Sequence, residues 1–266
     1  MEFLRIVRRR TFVSEGVYIF LNIALALTVL ISTLATGTPW LAIVLVLLSK
    51  WRVLAVRPRY WFAHVEANMV DMIVSFGIAV LIYIAGQTAD SNMLTVQVGL
   101  TVLYVLWLLF LKPRTRVAAV ASQAGVAVVV GTMALMSVSY EWPSSVVVVM
   151  MWLMGYSCAR HVLVSHTESD VRLLSLLGGF IFAEIGWLTY HWTIAYPLFF
   201  APQLKVPQVT ILLAALSFLL ERSYQLYVRH KTIKRNDIML PLIFTIVLLI
   251  ALLFTGLNAV PSGGAV

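Results

Sequence analysis

Long apolar runs separated by short polar strings make up almost the whole chain. A helix needs about 20 mostly apolar residues to cross a hydrocarbon layer about 30 Å thick, because unpaired backbone groups are too costly in lipid. Nine stretches are candidate spans, with approximate bounds 17–35, 39–56, 69–86, 93–111, 117–138, 144–163, 171–190, 206–223 and 238–259. Seven are long enough without further argument, and two are short. In the second, the apolar part from Trp40 to Ser49 ends so early that Lys50 and Arg52 must snorkel to the interface. The eighth is cut short in the same way by Glu221 and Arg222.

Charge resolves the two short stretches. If both cross, eighteen of the nineteen Lys and Arg residues lie on one side, and only Lys205 lies on the other. If the second were instead a re-entrant hairpin, Lys50, Arg52, Arg57 and Arg59 would change sides and the pattern would be lost. Positive residues in short loops resist translocation, so the asymmetry predicts an N-terminus inside and a C-terminus outside. The expected fold is an all-α polytopic transmembrane bundle of about nine spans, forming one integral membrane domain over residues 1–266 of the cytoplasmic membrane of a bacterial-type cell or its equivalent.

Composition agrees with that class. The chain is 61% hydrophobic and 11% charged, with mean hydropathy +0.95, whereas soluble domains carry about 25% charged residues. The net charge of +8 is spread over five short inner segments. It therefore reads as a topology signal, with anionic lipid headgroups at the inner face as its partners, and not as a nucleic-acid footprint. The basic N-terminus, followed by an apolar run and the small residues Thr33 and Ala35, resembles a secretory signal. The run is longer than usual for one, so a retained first helix is expected. A single cysteine, Cys158, leaves no intramolecular disulfide and no thiolate metal cage.

Pro39-Trp40 and Trp142-Pro143 open two corresponding spans, which would suit a parallel repeat of four plus four helices with one terminal helix. The third helix of each half then carries an acid, Asp71 or Glu184, although the two differ in depth.

Glu184 is the most informative side chain. A carboxylate near mid-bilayer costs about 2.5 to 3.5 kcal/mol on insertion scales and usually faces the bundle interior. With no Lys or Arg at its depth, Gln97 in the outer part of the fourth span is its candidate partner. Glu184, Trp187 and His191 follow i, i+3, i+7 on one stripe, and Gly178, Gly179 and Gly186 would let a neighbouring helix approach closely. The stripe leads into residues 191–205, HWTIAYPLFFAPQLK, an aromatic, proline-broken loop that reads as interfacial or re-entrant. Together these form a candidate outward-facing site; the alternative is an aromatic belt of Trp187, Tyr190 and Trp192 with a structural hydrogen bond at Glu184.

A second constellation lies on the inner side. His64, Asn68 and Asp71 share an i, i+4, i+7 stripe that Arg57 and Trp61 continue outward, with Arg59 beside them. A basic, aromatic segment of this kind suits contact with lipid headgroups or a phosphate. His161, His166, Glu168 and Asp170 are metal-binding residue types, but a five-residue gap between the histidines puts them about 140° apart on a helix, so no metal site or cofactor is expected. Met150, Met151 and Met154 read as core fillers.

Four motifs are absent: H-E-x-x-H, G-x-S-x-G, a P-loop and G-x-G-x-x-G. The leading expectation is a non-catalytic membrane subunit or scaffold, with a protein partner or a second copy. The alternatives are a carrier or channel for a small or lipidic solute that uses Glu184, and an enzyme acting on a phosphate-bearing lipid through Arg57 to Asp71.

Overall fold

A computed structural model of the protein describes residues 12–51, 57, 60–87, 92–191, 194–230 and 235–259. The described chain is mostly helical. Its helices are α1 (Phe12–Thr36), α2 (Trp40–Ser49), α3 (Trp61–Ala85), α4 (Met93–Leu106), α5 (Val117–Val138), α6 (Ser144–Ser165), α7 (Val171–Tyr190), α8 (Gln208–His230) and α9 (Arg235–Ala259). A π-helical turn, Trp107–Leu111, continues α4, and the strands β1 (Ala195–Leu198) and β2 (Ala201–Pro207) precede α8.

Among the described residues, seven helices are long and apolar enough to cross a membrane: α1, α3, α4 with its π turn, α5, α6, α7 and α8. This establishes a helical membrane bundle by length and composition. The eighth stretch is no longer short, because α8 runs unbroken through Glu221 and Arg222 to His230. One charged pair does not end a helix when the following residues, Ser223 to Val228, keep helical propensity and a partly apolar face. The second stretch does stay short: α2 has 10 residues, or about 15 Å at 1.5 Å per residue, half of the hydrocarbon layer. Arg52, which was expected to snorkel with Lys50, lies outside the described residues.

The core runs through α3, α5 and α6, with Val74, Ile78, Ile82, Ala127, Val128, Val147 and Met151 among its buried side chains. Half of the apolar window of α3 and of α5 is buried, against 22% for α7. Thus α7 is a peripheral helix, packed almost wholly on α6. The seam between them is built from glycine. A Cβ on Gly155 would lie 2.6 Å from the Gly178 carbonyl oxygen, and one on Gly186 would lie 2.7 Å from Met151 Cγ, so the backbones approach where side chains would not fit.

The aromatic loop, expected as an interfacial or re-entrant segment of an all-α fold, is in part an antiparallel hairpin. Tyr196 pairs with Val206 and Pro197 with Lys205. Prolines are tolerated here because a two-stranded sheet consists of edges. Ala201 and Leu204 seat the hairpin on Leu81 and Ala85 of α3 and on Met133 and Ala134 of α5, while Phe199 and Phe200 stand exposed at its tip.

Candidate functional site

At the end of the bundle where α3 begins, helix geometry brings three charges together. Lys50 follows the last residue of α2, Asp71 is ten residues into α3, and Lys112 follows the π turn. The Lys50 ammonium pairs with Asp71 Oδ2, Lys112 Nζ lies 2.9 Å from the same oxygen, and the Trp107 indole N–H donates to Asp71 Oδ1 at 3.1 Å. The π turn makes this possible. Residues five apart stand about 140° apart on an α-helix. The bond from the Lys112 N–H to the Trp107 carbonyl, 2.9 Å, widens the turn so that both side chains reach the same acid. Lys50 therefore does not snorkel to the interface as expected; its side chain is 8% exposed. A buried acid within reach offers the ammonium a counter-charge that lipid does not. Burial works against the charge on Lys112, but Asp71 beside it more than offsets this and raises its pKa above the ordinary lysine range.

The surrounding polar residues are tied down as well. Arg160 Nη2 lies 2.9 Å from Glu66 Oε2, and the Tyr156 hydroxyl donates to Glu66 Oε1 at 2.9 Å, joining α3 to α6. Gln123 on α5 donates to the carbonyls of Leu111 and Arg114, at 2.7 and 2.9 Å, and so caps the end of the π turn. That orientation turns Gln123 Oε1 toward His161 Nε2, 2.7 Å away, so the histidine donates through Nε2. Cap and tether of this kind leave no pattern in the sequence, since Gln123 and His161 are 38 residues apart. His166 packs edge-on against Tyr224, whose hydroxyl donates to Glu168. His161 thus has a partner of its own, whereas His166 and Glu168 share Tyr224, and Asp170 accepts from the Ser169 hydroxyl at 3.1 Å.

The predicted inner stripe survives as spacing and divides by burial. Arg57 is exposed ahead of α3, Trp61 and His64 are exposed on its first turns, Asn68 Nδ2 donates to the His64 carbonyl at 2.8 Å, and Asp71 is buried in the ion cluster. Arg59 lies outside the described residues.

The predicted outer site is arranged differently from the expectation of an acid facing the bundle interior. Glu184 is exposed on α7, roughly 140° to 160° around the helix from Gly179, Phe182 and Gly186, the residues set against α6. It therefore sits at the centre of the outward face, with Leu177, Phe180, Ile181, Trp187 and Leu188 exposed around it. The reason is the glycine seam: the small residues of α7 take the bundle side, and the opposite face must then point out. Trp187 and His191 remain its neighbours along the stripe, with rings edge-to-face at 6.1 Å, and His191 is exposed. The Gln97 amide does not turn to Glu184; it is buried on α4 and donates to the Ile82 carbonyl at 3.0 Å. Among the described residues Glu184 has no ion-pair partner. Trp192, the third aromatic of the expected belt, lies outside the described residues.

Two shallow concavities flank these features. One, of about 700 Å³, is an apolar gap between α8 and α9 lined by Phe218, Leu240 and Phe244. The other, of about 400 Å³, lies beside the hairpin and is lined by Met136, Tyr140, Thr189 and Lys205. Neither contains Asp71 or Glu184. No protein-family model matches this chain, and no curated protein or solved structure matches it.

Proposed function

We propose that this protein is a non-catalytic subunit of a membrane assembly. The observation that carries the reading is the placement of its two diagnostic acids. Asp71, the candidate catalytic group, has both oxygens engaged by Lys50, Lys112 and Trp107. Glu184, the candidate transport group, points out of the bundle. An acid that binds a solute faces a cavity, whereas an acid that binds a neighbouring helix faces outward. In this reading the N-terminus is inside and the C-terminus outside, with the short α2 still counted as a crossing, so that the Asp71 cluster belongs to the inner side and the hairpin to the outer side. Exposed Arg57 and Trp61 at the start of α3 contact anionic headgroups of the inner leaflet.

A carrier for a small or lipidic solute is the second reading, favoured by the cleft beside the hairpin, where Lys205 offers the one cation assigned to the outer side. Extraction from native membranes into a mild detergent, followed by mass measurement, separates the two. The subunit reading expects a stoichiometric complex heavier than the 29.7 kDa chain. An intact lone monomer would overturn it.

A further inference from the structure

We propose that the outward face of α7 centred on Glu184 is a docking surface for a transmembrane helix of another protein that carries a lysine or arginine within the bilayer. The proposal rests on the subunit reading above and adds the chemistry of the partner.

The position of Glu184 limits what covers it. It lies about 20 Å along α7 from Val171 and about 9 Å from Tyr190, well inside the span. A carboxylate at that depth on an outward face meets lipid unless a protein covers it, and intramembrane acids are retained where a partner satisfies them. Among the described residues none forms an ion pair with Glu184. Arg172 stands about 18 Å away along the same helix, Lys50, Lys112 and Arg160 are committed to Asp71 and Glu66, and Lys205 belongs to a hairpin seated on α3 and α5. A second copy docked symmetrically through this face would bring acid toward acid. Charge complementarity therefore selects a basic partner helix.

The rest of the face has the character of a helix contact. Leu173, Leu177, Phe180 and Leu188 are exposed around the acid at spacings that form a continuous ridge, with Trp187 toward the outer end. Apolar ridges alone do not distinguish a protein from lipid tails, since both are equally oily. The acid supplies that distinction. A leucine-rich partner would gain little here, and one with a single basic residue would gain a charged hydrogen bond in a medium that offers no water in exchange.

The test uses the full chain reconstituted in phosphatidylcholine vesicles with a synthetic 21-residue leucine-rich helix. The helix carries one central lysine, which by snorkelling reaches Glu184 in either insertion direction. Energy transfer between labels reads association. The lysine helix is expected to associate about tenfold more tightly than the same helix with leucine at its centre, and Glu184→Gln is expected to remove that preference while helix content stays unchanged. Equal association of the two helices, or a preference that survives Glu184→Gln, overturns the proposal. So does strong transfer between copies of the chain that Glu184→Gln abolishes, which would assign the face to self-association. The two readings fail separately. A lone monomer from native membranes that still prefers the lysine helix removes the subunit reading and keeps the surface. A native complex that Glu184→Gln leaves intact keeps the subunit reading and removes the surface.

Discussion

Asp71 and Glu184 are both acids on apolar helices, and the bundle treats them in opposite ways. Asp71 is buried and meets two ammonium groups and an indole. Glu184 is exposed on a helix whose bundle side carries Ser175, Gly179, Phe182, Ala183 and Gly186 and no cation. The difference shows that an acid in such a bundle is buried where the fold delivers cations and is turned out where it delivers only apolar packing. A charge without a counter-charge is more costly inside a protein core than at a surface where a partner can reach it.

Breaking the buried cluster gives the largest effect. Asp71→Asn leaves Lys50 buried without its counter-ion and is expected to cost about 3 to 5 kcal/mol of stability in detergent, read as a drop in thermal midpoint. Lys50→Met is expected to cost less, because Lys112 stays on Asp71 and, with 31% of its side chain exposed, relaxes easily. Equal losses from the two variants would show that the cluster does not share its charge as described. The glycine seam comes next. Gly155→Val puts a Cβ within 2.6 Å of the Gly178 carbonyl oxygen and of Phe182 Cβ, and is expected to cost about 1 to 3 kcal/mol by overpacking. It also shifts the helix that presents Glu184, so association with the lysine helix falls with it. Unchanged stability would mean that α6 and α7 do not meet this closely. The smallest effect is expected from Glu184→Gln in the isolated chain, within about 0.5 kcal/mol by thermal unfolding, because the side chain is exposed and forms no ion pair among the described residues. A loss as large as that from Asp71→Asn would end the contrast between the two acids.

Much of this was legible before any fold was considered. The apolar runs located the helices, and the spacing of Glu184, Trp187 and His191 put them on one stripe of α7, where they are found. The stripe of Trp61, His64, Asn68 and Asp71 was legible as helical spacing, and these residues lie on the first turns of α3. The contacts of Asp71 were not legible, because Lys50 and Lys112 are 21 and 41 residues away and only the π turn and the packing of α2 on α3 bring them in. Nor was the hairpin, since three prolines in residues 195–207 argue against a strand anywhere except at an edge.

The sequence by itself determined that the chain is a helical membrane protein and which residues share a stripe, because backbone satisfaction in lipid demands long apolar helices and because helical periodicity is a local property. Only the tertiary structure decided which side of each helix faces in. In a soluble protein the apolar stripe answers that question, but here lipid and core are equally apolar and the helices are apolar nearly all round. The choice passed to close packing at Gly155, Gly178 and Gly186 and to the meeting of Asp71 with its lysines. Those contacts turned Asp71 inward and left Glu184 facing out.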